Sequence, residues 1–541
     1  MITLLIPPGW TLHAGGPHIA LPLLKGYLDQ HGIETEVFDL NVGAATRHFG
    51  VQITEQGAAA ACADLAVDDM NAAYFAAEDR LGAVAAAYGG KWLAHEGYQH
   101  LGCDLANPDD VRRFSHLRSP YTTYFAEEII PQVLRGNPRI VGLSIYVPSQ
   151  MLTAFEFIRL LRAAGYDGFV ALGGNHISRI IGDMALPWVF DLVDGLVTYQ
   201  GERALKEIHR CLEEARPLDA VPSLTWRRPD GTIAANTVAL LKTPEFAMPD
   251  FTGMPLDDYW GTPYLTMVGA RGCFYGKCSF CAIPFGYGPN NYIGMSPAAA
   301  VVAAMNRAYR QSGITRFKFI DEALHPKMLR DMDGLRSEYA ADFEFEGYVR
   351  FDPTWAGPSF LALCRRIGLR KAYLGLELAP SDNRDVLAKA DKADPLAVLE
   401  RMADVGIKTH VFCLFGFPGT GIPEAVATVE FALAHRKLID TLDVFPFYYA
   451  RHTKVEGVEA IDEPQRSWRT EHRYRPTGVG VLWPEEVAFL AETLNDVVWN
   501  EHPHWSHPIY RMVSPWRDAR RAAAPRDGSR NTHARHPHVP A

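Results

Sequence analysis

The chain has 541 residues, of which 48% are hydrophobic and 21% are charged, and its formal net charge is −10. This length predicts two or three domains, and the composition is typical of a soluble globular protein. The charge gives no basic footprint for nucleic acid, and no apolar run reaches the roughly 18 residues that span a bilayer. The start, MITLLIPPGW, lacks the features of a signal peptide. We therefore expect a cytoplasmic protein with neither nucleic acid nor membrane as a partner.

The first 215 residues predict an alternation of strands and helices. Strands are expected at 2–8, 33–41, 139–147, 168–174 and 194–202, with helices at 20–32, 151–165, 178–190 and 203–215. An Ala-rich, largely helical insertion is expected at about 55–135. Apolar strands separated by amphipathic helices predict an α/β fold with a parallel, doubly wound (Rossmann-like) sheet.

Ligands of such sheets bind beyond the C-terminal ends of the strands. The candidate residues at those ends are Pro8, Ser144, Gly173, Gly174, Gln200, Gly201 and Glu202. Small residues there let the backbone approach a large flat or phosphate-bearing ligand closely. A tight turn is the alternative interpretation of the paired glycines.

Residues 216–262 predict a connector with short strands, and residues 263–450 predict a second βα series. Its six candidate strands begin near 264, 315, 343, 371, 407 and 441. This pattern predicts a (β/α)6 partial TIM barrel, whose chemistry is expected at the C-terminal strand ends. Residues 451–515 are expected to form a mostly helical C-terminal segment. Residues 516–541, rich in Arg and Pro, are expected to form a disordered tail.

Three of the eight cysteines, Cys273, Cys278 and Cys281, fall within nine residues after the first barrel strand. A disulfide would leave one of these thiols over in a reducing compartment. Structural zinc needs four ligands, and the other five cysteines are scattered singly. Three thiolates on a [4Fe–4S] cluster leave one iron open to a ligand. The pattern favours the iron–sulfur interpretation, with the disulfide and the zinc site as alternatives.

Charged side chains follow the next three barrel strands. Arg350 ends the third strand, where its guanidinium is suited to bind a carboxylate. A surface ion pair is the alternative role for Arg350. Asp321 and Glu322 end the second strand, and acids also favour such helix starts. Glu377 lies in an apolar strand, where an unpaired carboxylate is costly, so it predicts a buried partner or a ligand hydroxyl.

The cysteine pattern C-x4-C-x2-C, with Phe280 before the last cysteine, resembles the cluster loop of radical S-adenosylmethionine enzymes. The commonest spacing in that superfamily has one residue fewer, and Gly276 is the residue expected to absorb the extra length. FIDE, YVRFD, GLEL and FGFPGT follow in an order similar to the later motifs of the superfamily. The resemblance implies that the three cysteines bind a [4Fe–4S] cluster. It implies that S-adenosylmethionine contacts Phe280, Asp321, Glu322, Arg350 and Glu377.

The first region resembles the cobalamin-binding domain that precedes the barrel in class B radical enzymes. The segments that carry this likeness are GYLDQHGIETEVFDLN, LGGNHIS and YQGERAL. The two resemblances cover roughly residues 1–450 and imply that the seven strand-end residues named above bind cobalamin. The DxHxxG signature of a lower histidine ligand is missing, which leaves the lower face of cobalt unassigned.

Together the resemblances imply a cobalamin-dependent methyltransferase. It would use a 5′-deoxyadenosyl radical and methylcobalamin to methylate an unactivated carbon of a natural product or a peptide. An electron donor such as flavodoxin or ferredoxin is the implied partner. One alternative is an enzyme of the same architecture that catalyses cyclisation, rearrangement or oxidation without methyl transfer. Another is a non-catalytic cobalamin or iron–sulfur sensor. No sequence pattern identifies further catalytic residues, the substrate or the oligomeric state.

Overall fold

A computed structural model describes the protein over residues 1–9, 16–49, 92–93, 99–100, 102–259, 264–282, 286, 292–380, 387–389, 393–461, 467–478 and 480–501. The predicted tail at 516–541 and most of the predicted insertion before residue 102 lie outside these residues. Within them, no helix is both long and apolar enough to cross a bilayer.

The first half of the chain forms a seven-stranded sheet with the strand order β2-β1-β5-β6-β7-β8-β9. The strands of this half, including the short ribbon β3-β4, are β1 (Ile2–Ile6), β2 (Thr35–Asp39), β3 (Trp92–Leu93), β4 (Gln99–His100), β5 (Ile140–Ser144), β6 (Phe169–Gly173), β7 (Gly195–Val197), β8 (Leu224–Arg227) and β9 (Ile233–Ala235). The first five strands of the order run parallel, whereas β8 is antiparallel to β7 and β9 is antiparallel to β8. The predicted α/β class with a parallel sheet is therefore confirmed.

The helices of this half lie along the sheet and bury its apolar strands. They are α1 (Ala20–Gln30), α2 (Leu40–Gly43), α3 (Pro108–Phe114), α4 (Ile130–Gly136), α5 (Gln150–Ala163), α6 (Asn175–Met184) and α7 (Gly201–Glu213). Strand β1 is buried along its whole length, as expected for a parallel strand covered on both faces.

Two boundaries of this half differ from the prediction. Residues 224–235, assigned to the connector, extend the sheet because β8 pairs with β7. The predicted strand at 194–202 ends at Val197, and α7 begins at Gly201. Gly201 and Glu202 therefore lie in the first turn of a helix rather than on a strand.

The second half forms a six-stranded sheet in which β10, β13, β14, β15, β16 and β17 follow one another in chain order. All neighbours are parallel, with β10 and β17 at the two edges. The strands, with the antiparallel ribbon β11-β12, are β10 (Leu265–Met267), β11 (Ala270–Gly272), β12 (Tyr292–Met295), β13 (Arg316–Phe319), β14 (Glu344–Val349), β15 (Leu369–Glu377), β16 (Lys408–Phe415) and β17 (Thr441–Pro446). The intervening helices are α8 (Ala298–Ser312), α9 (Pro326–Gly334), α10 (Pro358–Ile367), α11 (Pro395–Asp404) and α12 (Ile422–Ala434).

The C-terminal segment is not mostly helical over its described part. A ribbon of β18 (Val458–Ala460) and β19 (Tyr474–Pro476) precedes the helix α13 (Pro484–Glu501). Trp468 returns to the first half, where its side chain is fully buried and its Nε1 donates to the carbonyl of Asp183 at 3.3 Å. This segment therefore packs against both halves of the chain, a long-range contact that its sequence does not signal.

Candidate functional site

A cavity of about 890 Å³ lies between the C-terminal edge of the first sheet and the strand ends of the six-stranded sheet, which the sequence predicts as a partial barrel. It brings together residues from both halves that the sequence predicts as site residues. All of them except Pro8 and Asp321 line it: Ser144, Gly173, Gly174, Gln200, Gly201, Glu202, Cys273, Cys278, Phe280, Cys281, Glu322, Arg350 and Glu377. The predicted ligand sites of the two halves are thus parts of one space.

The cysteine loop begins at β11 and ends at β12, and the pairing of these two strands holds its base together. Gly276 has φ +59°, a left-handed conformation that glycine adopts without strain. It thus turns the chain inside the longer Cys273–Cys278 interval. The amide of Ser279 donates to the carbonyl of Leu387 at 3.0 Å, which fastens the loop to the segment after β15.

Basic side chains surround the middle cysteine of the loop. Burial raises the pKa of the Cys278 thiol, and the nearby charges of Lys389 and Arg350 oppose that effect. Cations favour the thiolate, which is the form that binds metal. Among the described residues, no three His, Cys, Asp or Glu side chains lie close enough together to hold one metal ion. In a [4Fe–4S] cluster each thiolate binds a separate iron, so such convergence is not required.

Arg350 lies just beyond β14 and is only 8% exposed. Its guanidinium carbon lies 3.7 Å from the ring centroid of Tyr275, a cation–π contact that holds it against the cysteine loop. The Tyr275 hydroxyl in turn donates to the carbonyl of Ala388 at 2.5 Å. The guanidinium is therefore fixed beside the loop and faces the cavity.

Glu377 ends β15 with φ +62°, at a point where the register of the strand pairing shifts. Its Oε1 lies 2.8 Å from Lys389 Nζ, and the two side chains are 11% and 7% exposed. The expected buried partner of Glu377 is thus a lysine from a segment without regular structure. No sequence pattern indicates Lys389 as a site residue.

The two adjacent acids after β13 point in different directions, which corrects the prediction for one of them. Asp321 is fully buried, and its carboxylate accepts from the amides of Gly269 at 2.8 Å and Ala270 at 2.6 Å. It fixes the turn before the cysteine loop and does not line the cavity. Burial raises the pKa of Asp321 to about 7. Glu322 does line the cavity, where it faces Tyr146 from the first half.

The first-sheet edge approaches the cavity with little side-chain bulk. Gly174 has φ +103°, and a Cβ there would lie 2.3 Å from the carbonyl oxygen of Ile145, so no other residue fits. Gly173 leaves more room, with the nearest contact of a Cβ at 3.3 Å. Pro8 is buried away from the cavity, where its carbonyl accepts from Thr153 Oγ1 at 2.5 Å. Pro8 therefore does not line this cavity, and its contact with a ligand stays a prediction.

Gln200 and Glu202 are partly engaged by the protein itself. Gln200 Oε1 accepts from the amide of Leu241 at 2.6 Å, but its buried Nε2 has no hydrogen-bond partner within the described part of the chain. Glu202 Oε1 forms an ion pair of 2.6 Å with Arg271 Nη1, which the sequence analysis also missed. Gln200 thus retains a donor for a ligand, whereas Glu202 is neutralised by a side chain of the barrel.

The barrel interior contributes residues that the motifs did not indicate. Aromatic side chains of this half line the cavity at Tyr264, Tyr348, Tyr373, Phe412 and Phe445, and Tyr146 of the first half adds a sixth. Lys318 lies among them, 5.2 Å from the ring of Tyr373 and 3.5 Å from Glu346 Oε1. Cys413 also lines the cavity, and burial raises the pKa of its thiol. The period-two alternation of the barrel strands is the signal that could have placed these side chains inside.

The fold is similar to those of solved cobalamin-dependent radical S-adenosylmethionine enzymes. No protein-family model and no curated protein sequence matches the chain. Among solved structures, it is similar to the radical S-adenosylmethionine methyltransferase TsrM from Kitasatospora setae, determined with tryptophan substrate and an S-adenosylmethionine analogue. The TM-score is 0.59 at 17% identity, over 92% of this chain and 89% of that one.

A second TsrM structure, with cobalamin and a [4Fe–4S] cluster bound, gives a TM-score of 0.58 at 17% identity, over 96% of this chain and 99% of that one. The cobalamin-dependent radical enzyme OxsB, with aqua-cobalamin and S-adenosylmethionine bound, gives a TM-score of 0.55 at 13% identity, over 96% of this chain. This chain spans 61% of the OxsB chain. At these identities the comparisons show the shared fold.

Proposed function

We propose that this protein is a cobalamin-dependent radical S-adenosylmethionine enzyme that methylates an unactivated carbon of a small molecule or peptide. The observation that carries the proposal is that the cysteine loop and the glycine-lined edge of the first sheet border the same cavity. The likeness to TsrM and OxsB supports the same arrangement at the level of the fold. A reaction that uses two cofactors on one substrate needs both to border the same space.

The cysteine loop fits a [4Fe–4S] cluster. Cys273, Cys278 and Cys281 all face the cavity, and Lys389 and Arg350 supply positive charge beside them. When bound, the cluster and S-adenosylmethionine supply a radical, and cobalamin supplies a methyl group. The chain's own contribution is to bind and orient these groups and to exclude water from the space between them.

The barrel mouth fits the amino-acid end of S-adenosylmethionine. Arg350 presents a fixed guanidinium beside the loop, a geometry suited to a carboxylate. Glu322 and Glu377 lie on the same wall and offer acceptors for an ammonium or for hydroxyls. Phe280, held edge-on by Phe417 at 6.4 Å, supplies an apolar surface near the last cysteine.

The first-sheet edge fits a large flat cofactor such as cobalamin. Its surface carries no side chains at Gly173, Gly174 and Gly201. Gln200 Nε2 is a buried donor without a hydrogen-bond acceptor among the described residues. An unsatisfied buried amide is costly, so a ligand that accepts from it would be favoured. Corrin side chains carry amide carbonyls that could serve as this acceptor.

The substrate would occupy the part of the cavity that the aromatic residues line. Its aromatic lining suits a small molecule or the tip of a peptide with an apolar part. An external one-electron donor such as flavodoxin or ferredoxin is the partner that this function requires.

The test is anaerobic reconstitution with iron, sulfide and hydroxocobalamin, followed by gel filtration. We expect the protein to retain cobalamin and, after addition of dithionite and S-adenosylmethionine, to form 5′-deoxyadenosine. The matched control replaces Cys273, Cys278 and Cys281 by Ala, which should abolish 5′-deoxyadenosine formation and leave cobalamin binding intact. Wild-type protein that retains no cobalamin would overturn the proposal.

The same assay separates the proposal from its alternatives. A sensor would bind cofactors and form no 5′-deoxyadenosine. An enzyme that cyclises, rearranges or oxidises its substrate would form 5′-deoxyadenosine but give a product without the added mass of a methyl group. Mass spectrometry of the product therefore decides between these outcomes.

A further inference from the structure

We propose that Glu202 and Arg271 form a buried tether that positions the cysteine loop against the ligand-binding edge of the first sheet. The tether itself is a property of the cofactor-free protein. Its consequence for catalysis rests on the proposed function. Both residues are positioning residues, because they act through the elements that they join.

The geometry of the pair is that of a direct link between the two halves. Glu202 lies in the first turn of α7, and Arg271 is the central residue of β11. Glu202 Oε1 and Arg271 Nη1 are 2.6 Å apart, and the side chains are only 4% and 6% exposed. The guanidinium also lies 4.5 Å from the ring of Phe246 in the connector. Three separate segments thus meet at Arg271.

The position of the pair in the sequence connects it to both predicted ligand sites. Glu202 directly follows Gln200 and Gly201 at the first-sheet edge, and Arg271 precedes Cys273 by two residues. Both side chains line the cavity. A movement of the α7 end would therefore reach the base of the cysteine loop through this ion pair.

A buried ion pair contributes little net free energy to folding, so stability by itself does not explain the Glu202–Arg271 pair. Its desolvation penalty often cancels the Coulombic attraction, and an apolar pair of similar volume would serve as well or better. Separating such a pair leaves two buried, unpaired charges at a high cost in free energy, so the pair holds the two segments that carry it together. Glu202 Oε1 and Arg271 Nη2 are both buried without a hydrogen bond among the residues described, so the 2.6 Å contact is an ion pair rather than an aligned hydrogen bond.

A neighbouring ion pair provides a matched control. Arg203, the next residue of α7, pairs with Glu245 of the connector at 2.5 Å. The side chains of this pair are 26% and 36% exposed, and neither residue lines the cavity. It joins the same helix to a different segment, so its loss should leave the cysteine loop in place.

The experiment compares hydrogen exchange in the cofactor-free wild type, Glu202→Gln, Arg271→Met, the Glu202→Gln/Arg271→Met double variant and Arg203→Gln. The reporters are the amides of Ser279 and Cys281, which are hydrogen-bonded within and beside the cysteine loop. We expect exchange of these amides to be about 10-fold faster in both single variants and in the double variant, and unchanged in Arg203→Gln.

The double variant distinguishes positioning from stability. Removal of both charges leaves no buried unpaired ion, so its unfolding midpoint should return toward that of the wild type. Exchange in the loop should nevertheless stay fast, because the link is still missing. Two results would overturn the tether. One is an unchanged exchange rate of the loop amides in the single variants. The other is a double variant in which both the exchange rate and the unfolding midpoint return to wild-type values.

A second measurement adds hydroxocobalamin as the probe. In the wild type we expect it to slow exchange in residues 201–206 and also in residues 273–281. In the three variants that lack the pair, only the first segment should respond. Protection of both segments in these variants would contradict the proposal. A wild type that binds no hydroxocobalamin would refute the proposed function, while the cofactor-free exchange still decides on the tether.

Discussion

Lys389 Nζ lies 2.8 Å from Glu377 Oε1 on the wall of the cavity, and both side chains are almost fully buried. The ammonium also donates to the carbonyl of Gly375, so Lys389 closes the end of β15 against the cysteine loop. Its charge favours the thiolate of Cys278 as well. One lysine from an irregular segment therefore serves both the strand end and the loop.

Loss of this lysine should destabilise the protein because it leaves a buried carboxylate unpaired. We expect Lys389→Met to lower the free energy of unfolding of the cofactor-free protein by about 3 kcal/mol. The Lys389→Met/Glu377→Gln double variant should recover much of that loss. Urea denaturation followed by circular dichroism measures both.

The control for this prediction is an exposed lysine in a similar pair. Lys327 Nζ lies 2.5 Å from Asp331 Oδ2 on α9, with side chains 66% and 41% exposed. Lys327→Met should change the unfolding free energy by no more than about 0.5 kcal/mol. Equal losses in Lys327→Met and Lys389→Met would show that burial of the Glu377 pair has no special weight.

The four cysteines that line the cavity should differ in their importance for iron. We expect Cys278→Ala to lose the [4Fe–4S] cluster, whereas Cys413→Ala should keep about four iron ions per chain because three thiolates of the loop suffice. Iron and acid-labile sulfide after reconstitution provide the measurement. Cys364→Ala, buried in α10 outside the cavity, controls for general damage. Loss of iron in Cys413→Ala, with iron retained in Cys364→Ala, would indicate that Cys413 is a fourth protein ligand.

Much of the cavity lining could be predicted from the order of strands and helices in the sequence. The C-terminal ends of parallel strands share one edge, so Ser144 and Gly173 could be placed together without coordinates. The same rule, applied to the barrel, placed Arg350 and Glu377 beside the cysteines.

The different orientations of Asp321 and Glu322 follow from the alternation of residues along a strand. Strand residues alternate between faces, and Phe317 and Phe319 of β13 are buried on the outer face. Asp321 continues that outer set, whereas Glu322 continues the cavity-facing set of Lys318. Alternation would therefore have assigned the two acids correctly.

Other contacts had no local signal. Lys389 belongs to no strand or helix, and its partner is reached only through the fold. The Glu202–Arg271 pair joins residues about 70 positions apart, and its existence depends on how the two halves pack. Without periodicity or a motif, such pairs could not be predicted from one sequence.

The backbone of Gly174 makes a sharp prediction about the first-sheet edge. A Cβ at this position would lie 2.3 Å from the carbonyl oxygen of Ile145, at a φ of +103°. We expect Gly174→Ala to lower the free energy of unfolding by about 3 kcal/mol through strain and displacement of β5. Denaturant unfolding measures the loss, and retention of hydroxocobalamin should fall with it.

Gly182 provides the matched control on the helix that Gly174 precedes. It lies within α6, and a Cβ there would meet nothing within 4 Å. Gly182→Ala should be neutral or should raise the unfolding free energy by up to about 1 kcal/mol, because Ala favours helix over Gly. A Gly174→Ala variant as stable as Gly182→Ala would contradict the close approach of the Gly174 backbone to Ile145.

Asp321 should give the cofactor-free protein a specific pH dependence. Burial raises its folded-state pKa from 3.8 to about 7. Between these values the folded state binds more protons at this site than the unfolded state, so this group's contribution to stability falls as pH rises. The slope should be about 1 kcal/mol per pH unit between pH 5 and 6, and it should flatten above pH 7.

Asp321→Asn isolates this contribution because an amide does not titrate. Its Nδ2 would face an amide donor at Gly269 or Ala270, so the variant should be less stable than the wild type at pH 5. The difference in unfolding free energy should shrink toward pH 7, as ionisation makes the buried carboxylate of the wild type costly. Unfolding curves of both proteins at half-unit steps of pH measure this difference, and parallel pH profiles would show that Asp321 is ionised throughout.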